Sequence, residues 1–234
     1  MLTDGNHKPG SVKMGYYALK FLYKNIYHKQ WAKEYLPTPK VAKTLPLVLA
    51  KEEVSSVLSH IKNFKHRSII MFIYSTGCRV SECVNVKLTD IDSKRNQVNI
   101  QHGKGLKQRR VPLSPALLKT LRRYYREYKP QDYLFEGAKG KGSHLGITAV
   151  RTICCNARHK TPEIKKAYTP HTFRHSFATH HLEQGTNLLV IQRLMGHSCL
   201  TNTLKYLHVQ QLKLEKVVNP LDTLKGLEEL CKSK

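Results

Sequence analysis

The chain has 234 residues, with 40 Lys and Arg against 16 Asp and Glu, giving a formal net charge of +24. That length holds one substantial domain plus a fragment, and a positive surplus spread from end to end belongs to a folded surface that meets a polyanion, with nucleic acid ahead of an anionic membrane. No apolar run approaches the ~20 residues of a spanning helix and the opening MLTDGNHKPG has no signal-peptide core, so the expected location is the cytoplasm, in association with the nucleoid. Cys78, Cys83, Cys154, Cys155, Cys199 and Cys231 form no CxxC pair, and the adjacent His180 and His181 point to different sides of a helix. Reduced thiols, no metal and no cofactor are therefore expected.

In chain order, residues 11–30 carry Tyr16, Leu19, Leu22, Tyr23 and Ile26 at helical spacing. A single amphipathic helix is marginal in water, so this one needs a partner surface. Trp31 to Pro46 holds Pro37, Pro39 and Pro46 among lysines, a composition that breaks helix and marks a domain boundary. Residues 1–44 thus read as a helical fragment with its linker, 45–215 as the main domain, and 216–234 as a tail in which Leu221, Leu224, Leu227 and Leu230 predict a helix. Residues 51–63 place Val54, Val57, Leu58 and Ile61 on one stripe behind Glu52 and Glu53, which suit the positive end of a helix dipole. Residues 66–76 continue with Ile69, Ile70, Phe72 and Ile73 and stop at Gly77, and VSECVNV opens a further helix past Arg79. An arginine between Cys78 and Val80 is costly to bury without an acidic partner or an anionic ligand, and Glu82 stands three residues on to orient it.

Gln97 to Leu113 alternates as strands do and predicts a hairpin with Lys104 between two glycines at its tip. Ser114 and Pro115 are a cap and first-turn proline for a helix over 115–128, with Leu117, Leu118, Leu121, Tyr124 and Tyr125 as its buried side and Arg122, Arg123 and Arg126 as its basic one. Residues 136–146, EGAKGKGSHLG, lack the GxxxxGK[ST] order and read as a basic loop near nucleic acid rather than a P-loop. Residues 147–158 form another helix, and Pro162 and Pro170 frame the connector beyond it.

The stretch from His171 to Tyr206, HTFRHSFATHHLEQGTNLLVIQRLMGHSCLTNTLKY, organises the rest. It reads as short helical runs stopped by Gly185 and Gly196, since glycine takes the left-handed conformation without steric cost. Arg174 follows His171 by three residues, so both share a helix face and can grip one anion: the guanidinium fork matches phosphate and the imidazole moves a proton near neutral pH. His197 falls in a turn. Tyr206 follows on a segment that Thr201 or Asn202 caps and that Leu200, Leu204 and Leu207 anchor to a core, where a tyrosine can serve as nucleophile.

With Arg79, Lys104, His171, Arg174, His197 and Tyr206 in this order, the chain closely resembles the tyrosine recombinase (phage integrase) family, especially its compact Xer-like members. The matching text is STGCRVSE around Arg79, GKGLKQRRVPL around Lys104, PHTFRHSFATHHLEQG around His171 and Arg174, and LMGHSCLTNTLKYLHV around His197 and Tyr206, over about residues 45–210. The resemblance implies a mainly α fold with a small antiparallel β-sheet, an α+β catalytic domain, working on double-stranded DNA with a helical core-binding domain of which residues 1–44 hold a remnant. It implies that Tyr206 attacks a scissile phosphate to form a 3′-phosphotyrosyl link and a free 5′-hydroxyl. Arg79 and Arg174 would hold the non-bridging oxygens, Lys104 would protonate the leaving 5′-oxygen, His171 would act as acid or base toward the tyrosine, and His197 would hydrogen-bond the phosphate. Neither ATP nor metal is needed in that scheme, and no small-molecule substrate. Assembly is expected on DNA, as a tetramer on two duplexes, and the tail after residue 215 would dock on a neighbouring protomer or on its own domain.

Two departures matter. Members of the family carry several N-terminal helices where residues 11–30 supply about one, and half a clamp binds DNA more weakly. Cys78 stands where an apolar residue is usual. A competing reading is therefore a truncated, non-catalytic DNA-binding remnant of an integrase, against which the complete set of six residues argues. A type IB topoisomerase shares the tyrosine chemistry, but the short chain and the Xer-like text disfavour it, and relaxation of a plasmid lacking a specific site separates the two.

Overall fold

The structure, a computed structural model, describes residues 9–31, 37–39, 45–101, 108–137 and 142–207. The chain divides into two compact units, Met1–Thr44 and Leu45–Lys234. In the first, helix α1 (Pro9–Asn25) buries Tyr16, whose hydroxyl accepts from Trp31 Nε1 at 3.0 Å and Thr38 Oγ1 at 3.1 Å. Leu19, Tyr23 and Ile26 share the helical spacing but stand exposed. Spacing states which residues share a face; burial needs an opposing surface, and the described part of this unit offers one only around Trp31.

The second unit runs α2 (Lys51–His60), α3 (Phe64–Thr76), α4 (Val80–Asn85), β1 (Ile91–Asp92), β2 (Gln97–Ile100), β3 (Arg109–Pro112), α5 (Pro115–Tyr128), α6 (Ile147–His159), α7 (Pro170–Glu183), α8 (Leu188–Met195) and α9 (Thr201–Leu204). It is mostly helical, with one three-stranded antiparallel sheet in the order β1-β2-β3. Val98 pairs with Val111 and Ile100 with Arg109, so Val98, Ile100 and Val111 face the core while Arg110 faces solvent. The period-2 pattern thus sets the register. Strand β1 was not legible, because two residues carry no period; it exists because Ile91 pairs with Val98. The hairpin tip expected at Lys104 and the tail helix expected over 216–234 lie outside the described residues.

Helix α3 is central and packs against α7 and α5. It buries Ile69, Ile70, Phe72 and Ile73 completely, and each such side chain is worth about 1.5–3 kcal/mol of burial. Helix α7 is buried nearly all round, including Phe173, Arg174, Ser176, Phe177, Ala178 and Thr179. Ser176 reconciles polarity with burial: its Oγ accepts from Leu49 N and donates to Thr172 O, both at 2.9 Å. On α5, Ser114 caps by accepting from Leu117 N at 3.1 Å, and Leu117, Leu121 and Tyr124 point inward. Tyr125, read above as part of that buried side, is 52% exposed. Adjacent helical residues point about 100° apart, so Tyr124 takes the inward direction and leaves its neighbour outside. Among the described residues no helix is long and apolar enough to cross a membrane.

Gly77 joins fold to site. It closes α3 at φ +60°, and a Cβ built there would lie 2.4 Å from the Phe177 ring. Gly77→Ala is expected to lower unfolding free energy by about 2 kcal/mol or more, from the left-handed penalty plus displacement of that ring. Urea denaturation checks this, and an unchanged midpoint would contradict the turn geometry.

Candidate active site

Two helix junctions, a strand and a helix bring the charged residues together. Arg79 is the residue before α4, so its backbone N–H is free to donate, and it does so to Glu82 Oε2 at 2.7 Å. Its side chain returns to the same carboxylate, Nη1 to Oε1 at 2.8 Å. Arg109, at the start of β3, grips Glu82 with two nitrogens at 3.0 and 2.6 Å. Arg174, on α7, lies 3.9 Å from Glu82 Oε2. One carboxylate with no exposed side-chain surface therefore serves three guanidiniums. Burial works against its charge, but hydrogen bonding and charge from Arg109, then Arg79, hold its carboxyl below the ordinary range.

The same arginines meet the C-terminal end of α8. The carbonyls of Leu194, Met195 and Gly196 accept from Arg109 Nε at 2.7 Å, Arg174 Nη2 at 2.6 Å and Arg79 Nη2 at 3.4 Å respectively. Those carbonyls lack helical partners and carry the negative end of the helix dipole, so guanidiniums suit them. Gly196 ends α8 at φ +62°, and a Cβ there would sit 2.8 Å from Arg109 Nη1. The glycine permits both the turn and the arginine beneath it. Arg174 also donates to the Gly77 carbonyl at 2.5 Å and is 4% exposed. Burial, then the charge of Arg79, bring its pKa down to about 10, with Glu82 partly offsetting, so it is still a cation at neutral pH. With a single carboxylate for three guanidiniums among the described residues, the cluster keeps a surplus of positive charge that an anion would neutralise.

His197, in the turn after α8, lies with Nε2 3.1 Å from Arg174 Nη2 and Nδ1 2.9 Å from Thr203 Oγ1. Arginine only donates, so Nε2 accepts and Nδ1 carries the proton that goes to Thr203. Burial, then Arg174 and Arg79, push this ring down to about 3, which keeps it neutral. Its ring lies parallel to that of Tyr206 with centroids 6.5 Å apart. Tyr206 has no exposed surface, and its hydroxyl pairs with His175 Nδ1 at 2.8 Å. Burial pushes the phenol up to about 12, against the downward pull of Arg174 and Arg79.

Residues 48–213 match the phage integrase family. The Sinorhizobium fredii protein y4eF, named as an integrase/recombinase, is 39% identical over 217 residues, which is 92% of this chain and 86% of that protein. Tyrosine recombinase XerA of Pyrococcus horikoshii is 34% identical over 187 residues, covering 79% of this chain and 65% of the relative. The chain belongs to the phage integrase family. Its relatives group it with the tyrosine-type site-specific recombinases. Among solved structures, the post-cleavage complex of XerH site-specific recombinase with palindromic difH substrate superposes with a TM-score of 0.76 at 24% identity, over 92% of this chain and 68% of that one. The fold is that of the tyrosine recombinase catalytic domain.

Of the six residues singled out in this integrase domain, Arg79, Arg174, His197 and Tyr206 lie in one connected cluster. His171, one helical turn before Arg174, lines a neighbouring cleft of about 300 Å³ with Arg151, Arg158, Cys155 and Tyr168. Partial desolvation, then Arg174 and Arg151, lower its pKa. Lys104 lies outside the described residues. Leu200, Leu204 and Leu207, read as anchors for Tyr206, are 36–38% exposed. Helix α9 is a single turn that buries Thr203, and the turn after it buries Tyr206 instead of the leucines, so the nucleophile candidate is its own anchor.

Two residues escaped the sequence reading. Arg109 was one of 40 Lys and Arg, and nothing local distinguishes a structural arginine from a surface one. His175 had a signal: it follows His171 by four residues, so the two share a helix face, and the face that carries Arg174 was already under suspicion.

Proposed function

We propose that this protein is a site-specific DNA recombinase or integrase that cleaves and rejoins double-stranded DNA through a 3′-phosphotyrosyl link at Tyr206. The observation that carries the reading is the surplus of guanidinium charge on Glu82 next to a tyrosine hydroxyl held inside the same cluster. Arg79 and Arg174 would bind the two non-bridging oxygens of the scissile phosphate and stabilise the charge that gathers there in the transition state. Neutral His197 would give its Nδ1 proton to Thr203 as now or, after rotation of its ring, to a phosphate oxygen. His171 would serve as acid or base beside the cluster, and Lys104 would protonate the departing 5′-oxygen. The tyrosyl ester conserves the phosphodiester's bond energy, so the chemistry requires neither ATP nor metal, and the liberated 5′-hydroxyl can reseal on a partner strand. The active form would be a tetramer holding two duplexes, in the cytoplasm, where the DNA is.

The XerH neighbour was solved with its difH substrate, and other structural neighbours with transposon or core-site DNA, which supports DNA as the substrate class here. A covalent trap tests the reading. The purified protein is incubated with nicked duplexes from its own genomic neighbourhood, so that cleavage releases a short 5′-hydroxyl fragment and strands the enzyme on DNA. An SDS-resistant adduct on a discrete sequence is expected. Retarded complexes without any adduct over a broad set of duplexes would instead identify a DNA-binding remnant.

A further inference from the structure

The Tyr206 hydroxyl has one hydrogen-bond partner among the described residues, His175 Nδ1 at 2.8 Å, with the ring centroids 5.7 Å apart. The direction of that bond follows from burial. Tyr206 has no exposed surface, so if Nδ1 were the donor the hydroxyl proton would be left in the interior without an acceptor among the described residues. Tyr206 therefore donates, Nδ1 accepts, and the proton of the half-buried His175 ring resides on Nε2. His171 makes no such contact with this oxygen.

Resting on the recombinase reading above, we propose that His175 is the group that accepts the Tyr206 proton when the tyrosine attacks, and that a bound phosphodiester arms it for that task. As the Tyr206 Oη–phosphorus bond forms, the hydroxyl proton moves to His175 Nδ1. The P–O5′ bond breaks with its electron pair on the 5′-oxygen, which takes a proton from the donor assigned to Lys104. In rejoining, the 5′-hydroxyl returns its proton to that donor as its oxygen attacks phosphorus, the Oη–phosphorus bond breaks, and the imidazolium returns its proton to the tyrosyl oxygen. One proton enters and one leaves in each direction.

The arming comes from the charges around the ring. Lys205 faces it from the turn after α9, His171 and Arg174 from α7, and His197 lies across the cluster in the turn after α8. Burial, then Lys205, His171 and Arg174, depress the imidazole to about 4. With the phenol at about 12, the proton stays on oxygen in the empty site. An anion between Arg79 and Arg174 cancels part of the positive field, raising the basicity of His175 just as phosphorus becomes available to the tyrosine. An empty site is thereby kept from ionising its nucleophile, and a filled one is not.

The test is the rate of adduct formation on a trapped nicked duplex, measured from pH 5 to pH 9 with wild type, His175→Asn and His175→Ala. Asparagine can keep an acceptor near the Nδ1 position but cannot take a proton. His175→Asn is expected to retain duplex binding by gel shift and to cleave about 100-fold or more slowly at neutral pH. Its rate should climb with hydroxide, without the acid-side limb that wild type shows as His175 becomes protonated. Added imidazole is expected to restore part of the rate to His175→Ala, a readout that a purely structural role would not move. If His175→Asn cleaves within about threefold of wild type with the same pH profile, below the smallest effect expected of a lost general base, His175 only positions the tyrosine and the proposal falls while the recombinase reading stands. If wild type forms no adduct on any duplex, the recombinase reading itself falls.

Discussion

Tyr206→Phe is expected to abolish the covalent DNA adduct while leaving duplex affinity within about twofold of wild type, because the change removes one oxygen and no positive charge, and phosphate contacts dominate affinity. The structure adds a stability expectation to this chemical one. The phenylalanine ring fits the same apolar pocket of Phe177, Ala178, Leu182, Ile191 and Met195 that holds Tyr206, so no cavity opens. What is lost is the hydrogen bond to His175, worth about 0.5–1.5 kcal/mol, and the half-buried imidazole can recover part of that from water. A variant that folds, binds and cannot be trapped isolates the nucleophile from every other role. An SDS-resistant adduct in the variant would overturn the assignment of Tyr206, and loss of binding together with cleavage would mean that the ring organises the DNA surface.

The parts of this fold that were legible share a property: each is specified by a local pattern that tertiary contacts reinforce. Ser114 and Pro115 before α5, the apolar run of α3 ended by Gly77, and the alternation that pairs Val98 with Val111 are of this kind. Arg79 was legible for a different reason. A charge flanked by Cys78 and Val80 demanded a partner, and Glu82 at three residues was within reach, as the 2.8 Å ion pair bears out. What could not be read is long-range. Nothing in RRVPL indicates that Arg109 reaches back across 27 residues to Glu82, or forward across 85 to the Leu194 carbonyl. Helix α7 was legible from its stop at Gly185 rather than from periodicity, because it is buried nearly all round and leaves only a narrow polar edge at His171 and His175 to give it a phase. Tyr206 was read on a helical run capped by Thr201 or Asn202, whereas α9 starts after Leu200 without a side-chain cap and Tyr206 lies in the turn beyond it. Its anchoring was assigned to the flanking leucines, since hydropathy ranks leucine above tyrosine and takes no account of the His175 acceptor that makes burial of this hydroxyl tolerable.

The glycines and the arginines form one device. Gly77 and Gly196 each end a helix in the left-handed conformation, and the carbonyls exposed there are the ones that Arg174 and Arg79 occupy. The helix ends aim the guanidiniums, Glu82 holds them together, and the fork of each arginine retains donors for a ligand. A lysine in place of Arg174 could not span Gly77 and Met195 at once.

Glu82→Ala is expected to be the most damaging single change away from the nucleophile. Removing the carboxylate leaves Arg79, Arg109 and Arg174 repelling one another with side chains 29%, 9% and 4% exposed, and breaking a buried ion pair in this way costs about 3–5 kcal/mol. Because the surviving cluster is an anion trap, added sulfate or phosphate should return part of that loss, by the linkage that stabilises any folded state which binds a ligand its unfolded state does not. Glu82→Gln separates charge from shape: it keeps two hydrogen-bonding atoms near the arginines and should fall between alanine and wild type. The pH dependence has a definite sign. The folded carboxyl is held below its unfolded value, so its contribution is fully present above about pH 4.3, the ordinary value for glutamate, and drains away as pH falls through the folded value. Wild type should therefore lose its stability advantage over Glu82→Gln on acidification, and the two denaturation midpoints should converge. Cleavage by either variant is expected to drop about 10²–10³-fold even where the protein remains folded, since two preorganised donors to the phosphate lose their orientation. A Glu82→Ala protein with an unchanged urea midpoint and no response to sulfate would show that the arginines do not depend on this carboxylate.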